Sequence, residues 1–147
     1  MATLKKQSTN TPASRQQGAA RVIGNAISRH LGVKVLSVGR KQLRAEMPVT
    51  PEHLNNAARV NGGVLMAYAD VVGAAATVAN LNPGERTSTL ESKTNFFAAG
   101  IGPVMKATVD LLHAGRTTMV WQTTIRNSSD GKRVAIVTQT QIRLPAK

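Results

Sequence analysis

Residues 62–79 read GGVLMAYADVVGAAATVA, and Asp70 is the only charged residue among them. The stretch is long enough for a short membrane span. However, it is rich in Gly and Ala, has an acid near its middle and is followed by Pro83 and Gly84. These features favour a buried helix. An ionised carboxylate among apolar residues costs several kcal/mol unless it is paired or takes part in chemistry. Asp70 is therefore the first candidate for a functional residue.

The composition of the chain excludes several classes of protein. A length of 147 residues fits one domain, and with 3% aromatic residues its core must be mostly aliphatic. The absence of cysteine excludes disulfides and thiolate metal sites, and the three histidines lack the spacing of metal ligands. The net charge of +12 suggests affinity for polyanions or phosphate groups. A nucleic-acid module would normally also offer aromatic stacking platforms, which this chain hardly can.

The first third of the chain predicts a tail, a helix and a hairpin. Residues 1–14 are polar and basic and lack periodicity, so we expect a disordered tail followed by a single domain over 15–147. No apolar secretory segment opens the chain, which favours a soluble, cytoplasmic protein. Apolar residues recur at helical spacing over 15–31, and Gly32 stands where a helix would stop. Residues 33–39 and 42–49 then predict a hairpin, because apolar and polar residues alternate in the second segment.

Four strand candidates follow the helix of residues 62–79, at about 86–97, 104–113, 116–127 and 133–143. Their short connections predict sequential antiparallel neighbours. In the last candidate the alternating set is Val134, Ile136, Thr138, Thr140 and Ile142. The architecture expected is α+β, with a curved antiparallel sheet wrapped around one long central helix. Because that helix is apolar on every side, we expect a second subunit to complete its enclosure.

The polar residues around the start of this helix suggest a site for a carbonyl oxygen or a phosphate. Asn61 is a good N-cap, and Gly62 and Gly63 would let a ligand approach free backbone N–H groups. Asp70 lies two turns further on, roughly 12 Å along the axis. The two could meet only across a dimer in which the helices run antiparallel. A backbone donor and a carboxylate would then form an acyl-transfer site.

The run HLNNAARVNGGVLMAYADVVGAAA, followed by KTNFFAAG, LLHAGR and a last strand rich in Thr and Gln, resembles the hotdog-fold acyl-CoA thioesterases. The closest type is the PaaI-like subfamily of phenylacetate degradation, and the resemblance covers about residues 20–143. The family motif is an Asn, then His-Gly-Gly six residues later, then an Asp nine residues after that His. Asn55, Asn61, Gly62, Gly63 and Asp70 match this spacing.

The resemblance implies roles for these residues. Asp70 would be the general base or the nucleophile that attacks the thioester, and the Gly62 N–H would polarise the thioester carbonyl. Asn55 would help to position water or the acyl group. Thr89 is the best match for a hydroxyl residue that often holds the water in this subfamily, whereas its neighbour Ser88 should point to the other face. Asn61 stands where the family usually has His, and Asn cannot titrate near neutral pH.

Binding partners follow from the same resemblance. Coenzyme A would be part of the substrate and no cofactor or metal is expected. Arg59, Lys93 and Arg116 are candidates for its phosphates, beside Asn61 and Gly63 at the helix start. The expected assembly is a homodimer or a tetramer of two dimers, with no membrane and no nucleic acid.

Three alternatives compete with a thioesterase. Asn61 motivates a hotdog protein that binds acyl-CoA without turnover. The basic residues of 1–45 motivate a nucleic-acid binder. A hotdog dehydratase would require a catalytic His near the helix, and none is present there.

Overall fold

A six-stranded antiparallel sheet curves around one long helix in the computed structural model, which describes residues 10–147. The elements in chain order are α1 (Pro12–Ile23), α2 (Ala26–Leu31), β1 (Lys34–Val38), β2 (Gln42–Pro48), α3 (Gly62–Val78), β3 (Arg86–Phe96), β4 (Val104–Ala114), β5 (Thr118–Asn127) and β6 (Arg133–Leu144), with a short 3-10 turn at Pro51–His53. The predicted α+β class, the hairpin, the long helix and the four later strands are thereby confirmed.

The strand order is β1-β2-β4-β5-β6-β3, so the prediction that all four later strands are sequential neighbours is wrong for β3. Strands β4, β5 and β6 do pair in sequence, but β3 pairs with β6 and β4 pairs with β2. The physical reason is that the connection between β3 and β4 is long enough to cross the sheet. The connection over residues 97–103 can extend for roughly 23 Å, whereas the width of three strands is only about 14 Å.

Asn127, at the end of β5, holds this crossing connection in place. It is buried, its Nδ2 donates to the Ala99 carbonyl (3.1 Å), and its Oδ1 accepts from the Ile101 N–H (2.8 Å). The connection also contacts the residue before the α3 cap, because the Val60 N–H donates to the Gly100 carbonyl (2.9 Å). The crossing therefore ties the sheet to the N-terminus of α3.

Helix α3 supplies the centre of the core. Its inward side buries the apolar residues Leu65, Tyr68, Ala69, Val72, Ala75 and Ala76 against the sheet. The Tyr68 hydroxyl donates to the Met105 carbonyl (3.3 Å), and burial, with a smaller contribution from Glu46, raises the pKa of this phenol well above its usual range. The phenol therefore remains a neutral donor that links α3 to β4.

One stripe of α3 remains open in the single chain. Gly63, Met66 and Asp70 are exposed at helical spacing along it. The expectation of a helix enclosed on every side therefore does not hold for one protomer, because the sheet covers only the opposite side.

The N-terminal segment differs from its prediction in two ways. Helix α1 begins at Pro12 rather than at residue 15, because the Thr11 side chain caps it by accepting from the Ser14 N–H (3.1 Å). A second helix begins after Gly24, where Asn25 accepts from the Ser28 N–H (2.9 Å). Gly32 ends α2 in the left-handed conformation, as predicted. Residues 1–9 of the expected tail lie outside the described residues.

Strand β6 packs against α3 with the face opposite to the one that its apolar residues suggest. Val137, Gln139 and Gln141 are fully buried on the side of α3, while Ile136, Thr138, Thr140 and Ile142 are only half-buried on the outer side. Two glutamines thus occupy core positions that a hydrophobic pattern would assign to Ile. Their bonds in the site explain why.

Candidate active site

Asp70 meets a hydroxyl group from the first strand after its helix. The Thr89 Oγ1 donates to Asp70 Oδ1 at 2.9 Å. A bulge between Thr89 and Glu91 in the β3–β6 pair displaces Leu90 outward, and such a bulge re-aims the side chains beside it. Ser88 pairs with Ile142 of the outer face. The structure thus brings together Asp70 and Thr89, and it separates Ser88 from them as expected.

Two glutamines of β6 complete this cluster, and the sequence reasoning missed them as site residues. Gln139 Nε2 lies 3.4 Å from Asp70 Oδ1, and Gln141 Nε2 donates to Thr89 Oγ1 at 2.8 Å. Thr87 Oγ1 in turn lies 3.0 Å from Gln141 Oε1. The available signal was the high Thr and Gln content of the last strand. Alternation alone, however, assigned Gln139 and Gln141 to the outer face of the sheet.

The N-terminus of α3 forms a second cluster. Asn61 Oδ1 accepts from the Gly63 N–H at 2.7 Å, which confirms Asn61 as the N-cap. The Gly62 N–H has no acceptor within residues 10–147. A Cβ at Gly62 would lie 3.2 Å from the Phe96 ring, so the ring rests directly on this glycine. The helix start therefore presents the unused Gly62 N–H beside an aromatic wall.

The loop before the helix is organised by Asn55. Its Oδ1 accepts from the N–H groups of Ala57 (2.9 Å) and Arg59 (3.2 Å), while its own N–H donates to the Arg59 carbonyl (2.8 Å). The Asn55 oxygen is thus occupied by the loop itself, which leaves its Nδ2 as the group that can face a ligand. Arg59 is exposed at the base of this loop, opposite Asn55.

The two clusters are separate within one chain. Asp70 follows Gly62 by eight helical positions, which corresponds to roughly 12 Å. A single thioester group cannot contact both clusters in one protomer. Each protomer therefore carries two half-sites, one with a carboxylate and one with a backbone donor.

The remaining basic candidates lie away from Asp70. Lys93 pairs with Thr138 on the outer face of the sheet, and its Nζ donates to Asn95 Oδ1 (3.0 Å). Arg116 is exposed in the turn between β4 and β5. Neither one contacts the residues of the Asp70 cluster.

Residues 10–147 contain neither a cluster of metal-binding side chains nor a membrane-spanning helix. No group of three or more His, Asp or Glu side chains is arranged to hold a metal ion there. None of the helices in this part of the chain is both long and apolar enough to cross a membrane.

The layout described above, with a curved sheet around one helix and polar residues at the helix start, defines a hotdog-fold protein. The family model described as the thioesterase superfamily matches residues 58–134, which include Gly62, Asp70 and Thr89. The chain belongs to the thioesterase superfamily, and it is of the PaaI-like type.

Individual relatives agree with this assignment. The Escherichia coli PaaI protein from the phenylacetic acid degradation operon superposes with a TM-score of 0.83 at 25% identity, over 92% of this chain and 97% of that one. A 1,4-dihydroxy-2-naphthoyl-CoA hydrolase of Listeria monocytogenes is 23% identical over 68% of this chain and 81% of its own length. A Mycobacterium tuberculosis protein that is named provisionally as an esterase is 30% identical over 78% of this chain and 81% of its own. Together these similarities support thioester hydrolysis in general terms.

Proposed function

We propose that this protein hydrolyses an acyl-CoA thioester to a free acid and coenzyme A, with Asp70 as its catalytic carboxylate. The observation that carries the proposal is the Asp70–Thr89 hydrogen bond (2.9 Å), on an exposed carboxylate inside a motif with thioesterase spacing. A structural Asp on an apolar helix would be buried and bonded to its surroundings. This one is instead exposed, and its Oδ2 has no hydrogen-bond partner among residues 10–147, so a substrate can reach it.

Two routes are open to Asp70. As a nucleophile, it attacks the thioester carbonyl, a mixed anhydride forms, the CoA thiolate leaves, and water then hydrolyses the anhydride. As a general base, it takes a proton from a water molecule that attacks the carbonyl directly. Neither route needs a cofactor or a metal ion.

The thioester carbonyl needs a donor that Asp70 cannot supply. The free Gly62 N–H, with the partial positive charge of a helix N-terminus, suits the oxyanion that develops in the transition state. Because the two half-sites of one chain are too far apart, the donor for one Asp70 comes from a second copy. Asn61 fixes the helix start, and Asn55 Nδ2 faces the acyl group or water.

The exposed surface beside Asp70 supports a dimer. Strand β3 is an edge strand of 11 residues, and Leu90 on it and Phe96 at its end are more than half exposed. An edge of this length with apolar side chains is a template for pairing with another strand. A second copy paired along β3 would also cover the open stripe of α3. Such dimers could then pair into a tetramer.

The substrate and the location follow from the same proposal. Arg59 and Gly63 lie at the helix start, where the phosphates or pantetheine of coenzyme A would pass, and Arg116 offers a further cation. Lys93 faces the other side of the sheet within one protomer, so it could reach a phosphate only across an assembly. Because CoA thioesters are cytoplasmic metabolites, the proposal places the protein in the cytoplasm.

A thiol-release assay over a panel of aryl-CoA and alkyl-CoA thioesters tests the proposal. The wild type is expected to release CoA, and Asp70→Ala to lose this activity while it retains the wild-type melting temperature. A single turnover in ¹⁸O-labelled water tests the nucleophilic route, since label in Asp70 arises only when water attacks the Asp70 carbonyl of a mixed anhydride. Label in the free acid alone is given by the general-base route or by attack on the acyl carbonyl of the anhydride. Full activity in Asp70→Ala would overturn the mechanism.

The same assay tests a non-catalytic acyl-CoA-binding protein, which the replacement of the family His by Asn61 favours. Calorimetric binding of a thioester without thiol release by the wild type would support that alternative.

A further inference from the structure

A chain of hydrogen bonds behind Asp70 has a defined direction. An amide nitrogen only donates, so Gln141 Nε2 must donate to Thr89 Oγ1 across their 2.8 Å contact. A hydroxyl group has one proton, so the proton of Thr89 is directed to Asp70 Oδ1 (2.9 Å). Gln141 thus makes Thr89 a fixed donor to the carboxylate.

The orientation of the Gln141 amide is itself determined by its partners. Turning it over would place Oε1 against Thr89, and two acceptors would then compete for one hydroxyl proton. In the observed orientation Oε1 lies 3.0 Å from the Thr87 hydroxyl, whose single proton also has the Ile142 carbonyl within reach at 2.8 Å. The competition at the Thr89–Asp70 end therefore decides the orientation of the amide, and the contact with Thr87 is compatible with it.

Both donors that reach Asp70 meet the same oxygen. Thr89 and Gln139 contact Oδ1, at 2.9 and 3.4 Å, while Oδ2 has no donor within residues 10–147. This arrangement fixes the plane of the carboxylate and leaves the lone pairs of Oδ2 available. Oδ2 is thus the oxygen that can attack a carbonyl or take a proton.

The position of Gln139 depends on a small residue in the helix. Gln139 is fully buried, and a Cβ at Gly73, one turn after Asp70, would overlap its carboxamide. Glycine at this position lets the amide lie against α3 with its nitrogen toward Asp70.

We propose that Gln141 and Gln139 are positioning residues. Gln141 fixes the direction of the Thr89–Asp70 hydrogen bond, and together with Gln139 it leaves Asp70 Oδ2 as the oxygen that reacts. This inference rests on the proposed function, because it assigns the atoms of the same site. It adds two residues of the last strand to a site that the motif confines to the helix and the loop before it.

The decisive comparison is Gln141→Glu against Gln141→Met. An ionised glutamate at this position can only accept, so at a pH where this side chain is ionised it competes with Asp70 for the Thr89 proton, whereas methionine removes the donor without competing. We expect Gln141→Glu to lower kcat by about tenfold or more, the range of one hydrogen bond to a charged group, and Gln141→Met by about threefold. KM should stay within about twofold of wild type in both, because the thioester itself is not contacted.

A double-mutant cycle tests whether Gln141 affects kcat through the Thr89 hydroxyl. In a Thr89→Val background there is no hydroxyl proton to direct, so adding Gln141→Glu should change kcat by less than about twofold. The matched control is Thr138→Val on the outer face of the same strand, which should leave kcat, KM and melting temperature unchanged.

The outcomes separate this inference from the proposed function. A wild type that releases no thiol, or an active Asp70→Ala, contradicts the proposed function itself. An active wild type with an inactive Asp70→Ala, but with equal kcat for Gln141→Glu and Gln141→Met, overturns only the positioning role. If Gln141→Glu does not fold, Gln141→Met takes its place in the cycle: the kcat of Gln141→Met should fall, and that loss should vanish in the Thr89→Val background; a loss that persists there would overturn the positioning role.

Discussion

Replacing Gly73 with Ala tests how tightly the Gln139 side chain is held beneath Asp70. In an exposed helix interior this change stabilises by about 1 kcal/mol, because Ala has the higher helix propensity. At Gly73, however, the new Cβ would overlap the Gln139 carboxamide, with Nε2 only 2.8 Å away. Gln139 is fully buried, so moving it aside would disturb the side chains packed around it.

Overpacking of this kind costs about 1–3 kcal/mol, which outweighs the gain in helix propensity. We therefore expect Gly73→Ala to lower the free energy of unfolding by about 0–2 kcal/mol in urea titrations. Because Gln139 would be displaced from Asp70, kcat should also fall by about threefold. Ala74→Gly, at the next position of the same helix, measures the local propensity difference without the overlap.

A second variant shows whether the change in stability caused by Gly73→Ala depends on Gln139. In a Gln139→Ser background the carboxamide is gone, so Gly73→Ala should become stabilising by about 1 kcal/mol. Stabilisation of that size in the wild-type background would refute the reasoning, since it would show that Gln139 moves aside at no cost.

Three further predictions concern the site and one ion pair. Asp70→Asn should lower kcat by about 10²–10⁴, the usual contribution of a general base, with KM little changed; a loss below tenfold would exclude a direct role. Thr89→Val should lower kcat by about tenfold, while Thr89→Ser, which keeps the hydroxyl, should restore most of it. For Glu85, burial acts to raise the pKa, but hydrogen bonds from Arg143 and Asn82 hold it below its usual 4.5. Its contribution to stability is therefore present above pH 4.5 and lost as the pH falls further. Thermal unfolding should show Glu85→Gln to be less stable by at most about 1 kcal/mol at pH 7, with the difference shrinking as the pH falls below 4.5; a difference that stays the same over this range would contradict the prediction.

Much of the fold could be predicted because its signals are local. Leu43, Ala45 and Met47 alternate with polar residues and do face the core, and the unbroken apolar run after Asn61 does form the central helix. The place of β3 could not be predicted this way. A short connection restricts how far the chain can travel but does not require adjacency, and the anchor at Asn127 lies in another strand.

The motif located the helix start and Asp70, but it gave no indication of Gln139 and Gln141. The alternation of apolar and polar residues predicts only which apolar side chains are buried. At these two positions the buried side chains are polar, and they form hydrogen bonds to Asp70 and Thr89 instead of apolar contacts. Departures of this kind are expected at functional sites. Buried amides in a strand that reads as apolar on the opposite face therefore deserve to be tested as site residues.

The crossing connection of residues 97–103 also has a consequence for the order in which the protein folds. Strands β4, β5 and β6 form successive hairpins, whereas the contact between Thr89 and Gln141 joins residues 52 positions apart. Closing the longer loop costs more entropy, so β3 is expected to dock after the hairpins have formed. Trp121, buried on β5, reports on the earlier stage. In refolding experiments, recovery of Trp121 fluorescence should therefore precede recovery of thiol release, because the catalytic carboxylate acquires its partners only when the edge strand arrives.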